Sequence, residues 1–368
     1  MKKMPRRMVR VATLVILGAS AIMKAQQIAP AGESPAGSTA TADRPRVNPL
    51  RVATKQWFPG ISANITFPVG GAPVAGAVDN TGHVWISNGG SSSVTKMLPD
   101  GSIVATYPVA ANTDLAGSPQ HSTVWYLAQH SGNHIWRANA PAGTPVPAGI
   151  AFAGDSMWIA DYGRGVAVQM SMSGTVLQSV PVGLNPFAIA FNGSQVWVAN
   201  ENSNTVTVIN ASTGAVAATY ATGVAPVGIE CDGVHMWIAN SDSNTVVEMN
   251  SDGSTVATFS VADPTSGLAW DGARMWASSF GGSVVGLGPT DATTLGPIAV
   301  GAGAQGIAYN GLEWVYVAGL QANNVTVVRV TDGRVMAILP VGSEPVGVIF
   351  TGINMLVTNS LGNCVSLL

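Results

Sequence analysis

The sequence predicts an all-β fold, a closed β-propeller built from four-stranded antiparallel blades. Three observations predict it: a repeat of about 40 residues, turn dipeptides that divide each repeat into four short strands, and a last repeat that lacks one strand. The composition agrees, because 47% of the residues are hydrophobic, only 10% are charged, and Gly occurs 43 times. A chain with this balance has the apolar side chains for a large core and is not typical of a disordered protein.

Each copy of the repeat contains a short apolar run, Val-Trp-Val-Ala-Asn in the clearest copies, and the aromatic or apolar residue at its centre serves as an anchor. The anchors follow in this order: Trp85, Tyr126, Trp158, Trp197, Trp237, Trp276, Tyr316 and Leu356. Eight anchors predict eight blades. The step from Tyr126 to Trp158 is only 32 residues, too short for four strands, so we expect a three-stranded second blade, with a seven-bladed ring as the alternative.

Turn dipeptides set the strand boundaries within each repeat. Asn-Gly and Asp-Gly pairs, such as Asn192-Gly193 and Asp252-Gly253, supply the positive φ angles of tight hairpins. Four strands joined only by hairpins form an antiparallel meander, which is a propeller blade. In the clearest repeat, the predicted strands are Val227–Glu230, Met236–Ala239, Thr245–Met249 and Thr255–Ser260.

The first and second strands show how the blades meet. The second strand is apolar on both faces, as in Val196–Ala199, which indicates that neighbouring blades cover it on both sides. The first strand carries small residues, as expected for strands that converge on a central channel. These small residues are Ala188, Gly228, Gly267, Gly306 and Gly347.

The two ends of the chain are predicted to complete one blade together. The last repeat supplies only three strands, Val346–Phe350, Met355–Thr358 and Cys364–Leu368. A fourth strand is available at Ala63–Val69, before the first full repeat. Pairing of this N-terminal strand with the last blade would close the ring and remove two exposed sheet edges.

The N-terminal part of the chain predicts export. Residues 1–25 read as a signal peptide, with a basic start followed by the short apolar stretch Val11–Met23. Thirteen residues are too few for a membrane span, which needs about 20, although an uncleaved anchor is the alternative interpretation. Residues 26–57 are rich in Ala, Pro, Ser and Gly and are predicted to form a flexible linker, followed by the propeller at 58–368. We therefore expect a periplasmic or secreted protein, and association with the cell surface is one form that this location can take. After signal removal, no transmembrane segment is expected.

Charge and cysteine content narrow the choice of partners. Removal of residues 1–25 takes away six of the 16 basic residues and none of the 19 acidic ones, so the mature chain is acidic. Nucleic acid is therefore not an expected partner. Cys231 and Cys364 fall in different repeats, and we expect two free thiols rather than a disulfide.

The repeats resemble a known family. The runs VWVANENSNTVTVINASTGAVAAT and LVTNSLGNCVSLL resemble YVTN-family β-propeller repeats, and the general layout is similar to NHL repeats and to the streptogramin lyase group. The resemblance extends from about residue 60 to the C-terminus. It implies an exported bacterial or archaeal propeller, and it is a weak guide to function because such repeats serve scaffolds with unrelated roles.

The candidate ligand site lies on the face where the loops after the second strand meet the loops between blades. Recurrent asparagines there, such as Asn200 and Asn204, are predicted to shape turns. His83, His121 and His235 are placed on the opposite face, without an assigned role. Residues that break the repeat pattern are the binding candidates: His130, His134, Asp161, Tyr162, Arg164, Asn185, Phe187, Phe280, Gln321 and Glu344. They suggest an anionic or sugar-like ligand, the alternative being that Arg164 and Asp161 form an exposed ion pair.

The predicted function is that of a non-catalytic binding or protein-interaction scaffold whose partner is an extracytoplasmic protein, small molecule or glycan. No catalytic residues are assigned, no cofactor is expected, and the chain is expected to be a monomer. The resemblance implies one enzymatic alternative, a lyase or hydrolase that uses a divalent metal with a His and Glu pair. A structural protein of the cell surface or envelope is a third interpretation.

Overall fold

The computed structural model describes residues 65–110, 143–288 and 294–368, and these residues form seven four-stranded antiparallel sheets. We call the sheets blades 1 to 7 in chain order. The innermost strands are β2 (Pro73–Val78), β6 (Pro147–Ala153), β10 (Pro186–Phe191), β14 (Pro226–Cys231), β18 (Thr265–Trp270), β22 (Ala304–Tyr309) and β26 (Pro345–Phe350). The second strands are β3 (Val84–Asn88), β7 (Ser156–Asp161), β11 (Gln195–Asn200), β15 (Met236–Asn240), β19 (Met275–Ser279), β23 (Trp314–Gly319) and β27 (Met355–Asn359).

The outer two strands complete each blade. The third strands are β4 (Ser93–Met97), β8 (Val166–Ser171), β12 (Thr205–Asn210), β16 (Thr245–Met249), β20 (Ser283–Leu287), β24 (Asn324–Arg329) and β28 (Cys364–Leu367). The outermost strands are β5 (Ile103–Pro108), β9 (Val176–Pro181), β13 (Val216–Ala221), β17 (Thr255–Ser260), β21 (Leu295–Ala299), β25 (Val335–Pro340) and, in blade 7, β1 (Ile65–Pro68). Among the residues that the structure describes, two short 3-10 helices follow second strands, at Gly89–Ser91 and Glu201–Ser203.

The prediction of eight blades is not confirmed: the described residues form seven, the alternative that the short step to Trp158 left open. Blade 1 packs directly against blade 2 through β2 and β6. The hydroxyl of Ser87, in blade 1, donates to the carbonyl oxygen of Ala148, in blade 2. Direct contact between these sheets leaves no space for another one between them. The repeat assigned to Tyr126 lies in residues 111–142, outside the described residues.

The N-terminal strand pairs with the last strand of blade 7, as the incomplete last repeat predicts. Strand β1 runs antiparallel to β28, with Ile65 opposite Leu367 and Pro68 opposite Cys364. The seven sheets are separate hydrogen-bonded units, and neighbouring blades meet instead through packed innermost strands, including β26 of blade 7 against β2 of blade 1. Among the described residues, no hydrogen-bonded ladder therefore runs from one blade to the next, and the predicted closure of the ring is not confirmed as a continuous sheet.

The core lies between blades, because the second strand of every blade is covered on both faces. Burial of β3, β15 and β27 is complete along their whole lengths. Five of the anchor residues are fully buried tryptophans, namely Trp85, Trp158, Trp197, Trp237 and Trp276. Burial of one such side chain stabilises the fold by roughly 1.5–3 kcal/mol. Cys231 and Cys364 are free and lie in blades 4 and 7.

Glycines let the innermost strands approach one another. A Cβ atom on Gly306 would overlap the backbone carbonyl oxygen of Val346 in the next blade, and one on Gly228 would lie 2.7 Å from the carbonyl oxygen of Ser266. The small residues predicted on the first strand are thus required by contact between neighbouring blades.

We expect Gly306→Ala to destabilise the fold by about 1–3 kcal/mol, because the added methyl group must displace backbone in a packed ring. Thermal or denaturant unfolding of the variant measures this. Gly71→Ala is the matched control, since a Cβ there has an ordinary contact of 3.4 Å with Gly90. Equal stability of the two variants would show that the innermost strands can separate freely.

Candidate functional site

The loops after the second strands and the loops between blades share one face of the ring, which we call the upper face. Backbone hydrogen bonds lock these loops together. The N–H of Glu201, after β11, donates to the carbonyl oxygen of Asn185, before β10, at 3.0 Å. The N–H of Ser360 donates to the carbonyl oxygen of Glu344 at 2.9 Å in the same way.

Recurrent asparagines fix the loops between blades. The side-chain oxygen of Asn204 accepts the N–H of Ala225 at 2.9 Å, and that of Asn363 accepts the N–H of Ala72 at 2.8 Å. The second bond joins the last blade to the first. Asn200 accepts the N–H of Gly183 at 3.1 Å. These bonds confirm that the recurrent asparagines shape turns.

Two of the predicted site residues belong to the same turn system. Asn185 and Glu344 have positive φ angles of 53° and each precedes a proline that starts an innermost strand. The N–H of Glu344 donates to the side-chain oxygen of Asn323 at 2.9 Å. Burial raises the pKa of the Glu344 carboxyl. The backbone of both residues therefore has a structural role, and only their side chains are available for a ligand.

Tyr162, Asn185 and Phe187 come together at the channel, from blades 2 and 3. The rings of Tyr162 and Phe187 meet edge to face, with centroids 6.3 Å apart. The side-chain amide nitrogen of Asn185 donates to the Tyr162 carbonyl oxygen at 3.3 Å, and its oxygen accepts from Asn202 at 2.7 Å. All three predicted residues are half-buried. Two aromatic edges and an amide thus share one patch, which we call the channel mouth.

Asp161 and Arg164 form an ion pair beside the channel mouth, with Arg164 Nε 2.6 Å from Asp161 Oδ2. The predicted pairing is present, but the pair is not exposed: the Asp161 side chain is 0% exposed and that of Arg164 is 15% exposed. Asp161 also accepts the N–H of Val146 at 2.8 Å. Burial raises the pKa of the Asp161 carboxyl, although the Val146 N–H and the Arg164 charge oppose the shift. Arg164 is therefore engaged within the fold, which fits the predicted pairing with Asp161 better than the role of a free anion-binding group.

The other candidates lie elsewhere. Phe280 is half-buried in blade 5, where its N–H donates to the Pro264 carbonyl oxygen at 2.9 Å. Gln321 is exposed in the loop after β23 of blade 6. His130 and His134 lie outside the described residues. The structure therefore brings Tyr162, Asn185 and Phe187 together with the Asp161–Arg164 pair and places Phe280, Gln321 and Glu344 in the blades across the channel.

The channel below the mouth is a small, mainly apolar cavity of about 230 Å³. Side chains from the start of four innermost strands form an apolar collar with the buried Leu320 of blade 6; the four are Val74, Phe187, Val227 and Val346. Ser266 and Gln305 are polar members of the lining. An apolar cavity with few polar groups and loops at its rim is the usual form of a small-molecule site.

The opposite, lower face carries two clusters that the sequence analysis missed, each around a histidine two residues before an anchor tryptophan. In blade 1, Asp79 Oδ2 accepts the indole N–H of Trp85 at 2.8 Å and lies 3.7 Å from His83 Nδ1. Lys96 Nζ lies 3.9 Å from the same oxygen and 4.8 Å above the Trp85 ring. The cluster in blade 1 thus contains its own cation.

In blade 4 the same positions hold a different set. Asp232 Oδ2 accepts the indole N–H of Trp237 at 2.9 Å and lies 3.5 Å from His235 Nδ1. His235 Nδ1 lies 2.8 Å from Glu248 Oε1. Glu248 stands opposite Trp237 in the ladder, as Lys96 stands opposite Trp85. The sequence did contain a signal for these clusters. A histidine lies two residues before each of the two anchors, and a charged residue stands opposite each anchor in the ladder.

Known proteins support the fold. No family model matches the sequence, and no curated protein matches it. Among solved structures, selenomethionine-substituted virginiamycin B lyase from Staphylococcus aureus is similar with a TM-score of 0.65 and 15% identity, over 83% of this chain and 98% of that one. An inactive variant of that lyase with quinupristin has a TM-score of 0.63 and 16% identity, over 83% and 97%. Hydrazine synthase from Kuenenia stuttgartiensis has a TM-score of 0.63 and 14% identity, over 85% and 98%.

At these identities the likeness establishes the fold alone. The described residues form a seven-bladed β-propeller, whose structural neighbours include streptogramin lyases, consistent with the resemblance to YVTN and NHL repeats. Within residues 65–110, 143–288 and 294–368, no helix has the length and apolar content of a membrane span.

Proposed function

We propose that this chain is an exported binding scaffold that holds a small, ring-containing ligand of the glycan type at the channel mouth. One observation carries the proposal: Tyr162 and Phe187 meet at 6.3 Å on the rim of an apolar channel, with the Asn185 amide beside them. Aromatic faces pack against the apolar faces of rings, and an amide bonds to hydroxyl groups. Because Asp161 occupies Arg164, a neutral ligand fits this patch better than an anionic one.

Comparison of equivalent positions in the repeats indicates that the two aromatic rings are not needed for folding. Phe187 is the second residue of its innermost strand, directly after the proline that begins the strand. The equivalent residues in blades 1, 4 and 7 are Val74, Val227 and Val346. Tyr162 directly follows the end of its second strand, where blades 4 and 7 have Ser241 and Ser360. Smaller residues therefore satisfy the same backbone.

The export part of the proposal depends on residues 1–25, whose basic start and short apolar stretch are typical of a signal peptide. A periplasmic or secreted location suits a ligand from the cell exterior. Fractionation of the producing cells tests it: the protein is expected outside the cytoplasm, shortened at its N-terminus, and an intact N-terminus in the membrane fraction would contradict it.

We expect Phe187→Val and Tyr162→Ser to weaken binding of a neutral oligosaccharide found in a thermal-shift panel. Each loses an aromatic contact of about 0.5–1.5 kcal/mol together with the buried area of the ring, so the Kd should rise about tenfold. Calorimetric titration of the identified oligosaccharide measures the change. Both substitutions install residues that other blades already carry, so the melting temperature should change little.

Leu361→Ala is the control, because Leu361 lies on the same face in blade 7 and is 64% exposed. Unchanged affinity of Phe187→Val and Tyr162→Ser would place the ligand elsewhere. Quinupristin with a divalent cation is the probe for the lyase alternative: a change in the mass or connectivity of quinupristin would mean that the chain is an enzyme and not a scaffold.

A further inference from the structure

The cluster in blade 4 combines three side chains that can bind a metal ion. One ligand atom from each of Asp232, His235 and Glu248 can be chosen so that all three lie within 4.8 Å of one another. With both carboxylates ionised, the three side chains carry an excess of negative charge whether or not the imidazole is protonated. The cluster lies on the lower face, away from the channel mouth: Asp232 and His235 are in the turn between the first and second strands of blade 4, and Glu248 is on the third strand.

Glu248 is the member that points to a missing partner. Its side chain is only 1% exposed, and its Oε2 atom is buried without a hydrogen-bond partner. A buried carboxylate normally has its oxygens satisfied, because an unbonded polar group in the interior is costly. His235 occupies Oε1 alone, so the second oxygen requires a cation or donor that the described residues do not supply.

Blade 1 shows how the same fold completes this cluster. There the residue opposite the anchor tryptophan is Lys96, whose ammonium group lies 3.9 Å from Asp79. In blade 4 the corresponding residue is Glu248, which replaces the positive charge by a negative one. The position that is neutralised internally in blade 1 is therefore open to an external cation in blade 4.

We propose that Asp232, His235 and Glu248 bind a divalent cation of the zinc class. One imidazole nitrogen with two carboxylates is a ligand set that Zn²⁺ accepts, whereas Ca²⁺ and Mg²⁺ prefer oxygen ligands alone. Three protein ligands leave one tetrahedral position for water, which can enter because His235 is 25% exposed. The carboxylate of Asp232 is held in place by the Trp237 indole and by the N–H of His235 at 2.7 Å.

The test is calorimetric titration of Zn²⁺ into the whole protein after treatment with EDTA, comparing wild type with Glu248→Gln. We expect a Zn²⁺ site in the wild type whose Kd rises at least tenfold, or whose binding is lost, in the variant. Co²⁺ should give the visible absorption of a tetrahedral site in the wild type and not in the variant. Zn²⁺ should bind more tightly than Mg²⁺ or Ca²⁺.

Two further variants make the result specific. Glu248→Lys copies blade 1 and should abolish this site while the protein melts normally in EDTA, so it covers the case in which Glu248→Gln fails to fold. His83→Ala alters the matching histidine of blade 1 and should leave Zn²⁺ binding unchanged. Equal Zn²⁺ binding by wild type and both Glu248 variants, absence of binding by the wild type, or a preference for Mg²⁺ or Ca²⁺ would overturn the proposal.

Discussion

A chain that starts at residue 71 is expected to melt on the order of 5–10 °C below a chain that starts at residue 58. The shorter chain lacks β1, which pairs with β28 along its whole length. It also loses Phe67 and Val69, which pack against the core cluster between blades 7 and 1. Loss of this area and of the ladder costs on the order of 3–5 kcal/mol, which in a domain of this size corresponds to a shift of that order.

The comparison isolates the strand. The chain from residue 71 keeps the hydrogen bond from Ala72 N–H to Asn363, so contact between the first and last blades is not removed with β1. The chain from residue 58 lacks the predicted signal peptide and linker, like the shorter one. Differential scanning calorimetry measures both. Identical melting temperatures would show that β1 contributes nothing to the stability of blade 7.

The repeat predicts strands well because each strand end has a local cause. In blade 4, the predicted strands Thr245–Met249 and Thr255–Ser260 have the bounds of β16 and β17. Here an Asp-Gly turn separates the two strands. Each strand also has an apolar pattern, either at alternate residues or on both of its faces. The described part of the N-terminal strand ends at Pro68, one residue before the predicted end, because strand ends without a turn dipeptide have no local signal. Ala63 and Asn64 lie outside the described residues.

The number of blades could not be read from the anchors, because an anchor shows that a segment resembles a strand and not that a sheet forms. The short step before Trp158 was the feature of the spacing that spoke against eight complete blades. Only the contact of β2 with β6 decides between seven and eight blades, and contact between distant segments has no signature in spacing.

Side-chain partners were the least predictable part of the site. The pairing of Asp161 with Arg164 follows from their closeness in sequence, but its burial depends on loops of two blades. Glu248 was not considered because it is 13 residues from His235 in the sequence. Its place opposite Trp237 follows from the register of β15 and β16. The cluster in blade 4 therefore depends on which residues pair across neighbouring strands, and the repeat period along the chain does not specify this pairing.

Replacement of either member of the buried ion pair is expected to destabilise the fold by about 3–5 kcal/mol. Asp161→Asn leaves the largely buried Arg164 guanidinium without its carboxylate. Arg164→Ser leaves the Asp161 carboxylate, which is 0% exposed, without its guanidinium. An exposed ion pair, the form that the sequence suggests, would contribute at most about 1 kcal/mol.

The double variant Asp161→Asn with Arg164→Ser is expected to lose clearly less stability than the two single losses added together. It installs the pair that blade 3 already carries, in which Asn200 accepts the N–H of Gly183 and Ser203 accepts the N–H of Leu184 at 2.7 Å. Denaturant unfolding of the wild type, both single variants and the double variant forms a complete cycle. We expect a coupling energy of about 2–3 kcal/mol between the two sites. If the two single losses simply add in the double variant, the ion pair does not hold the two residues together and the charges act independently.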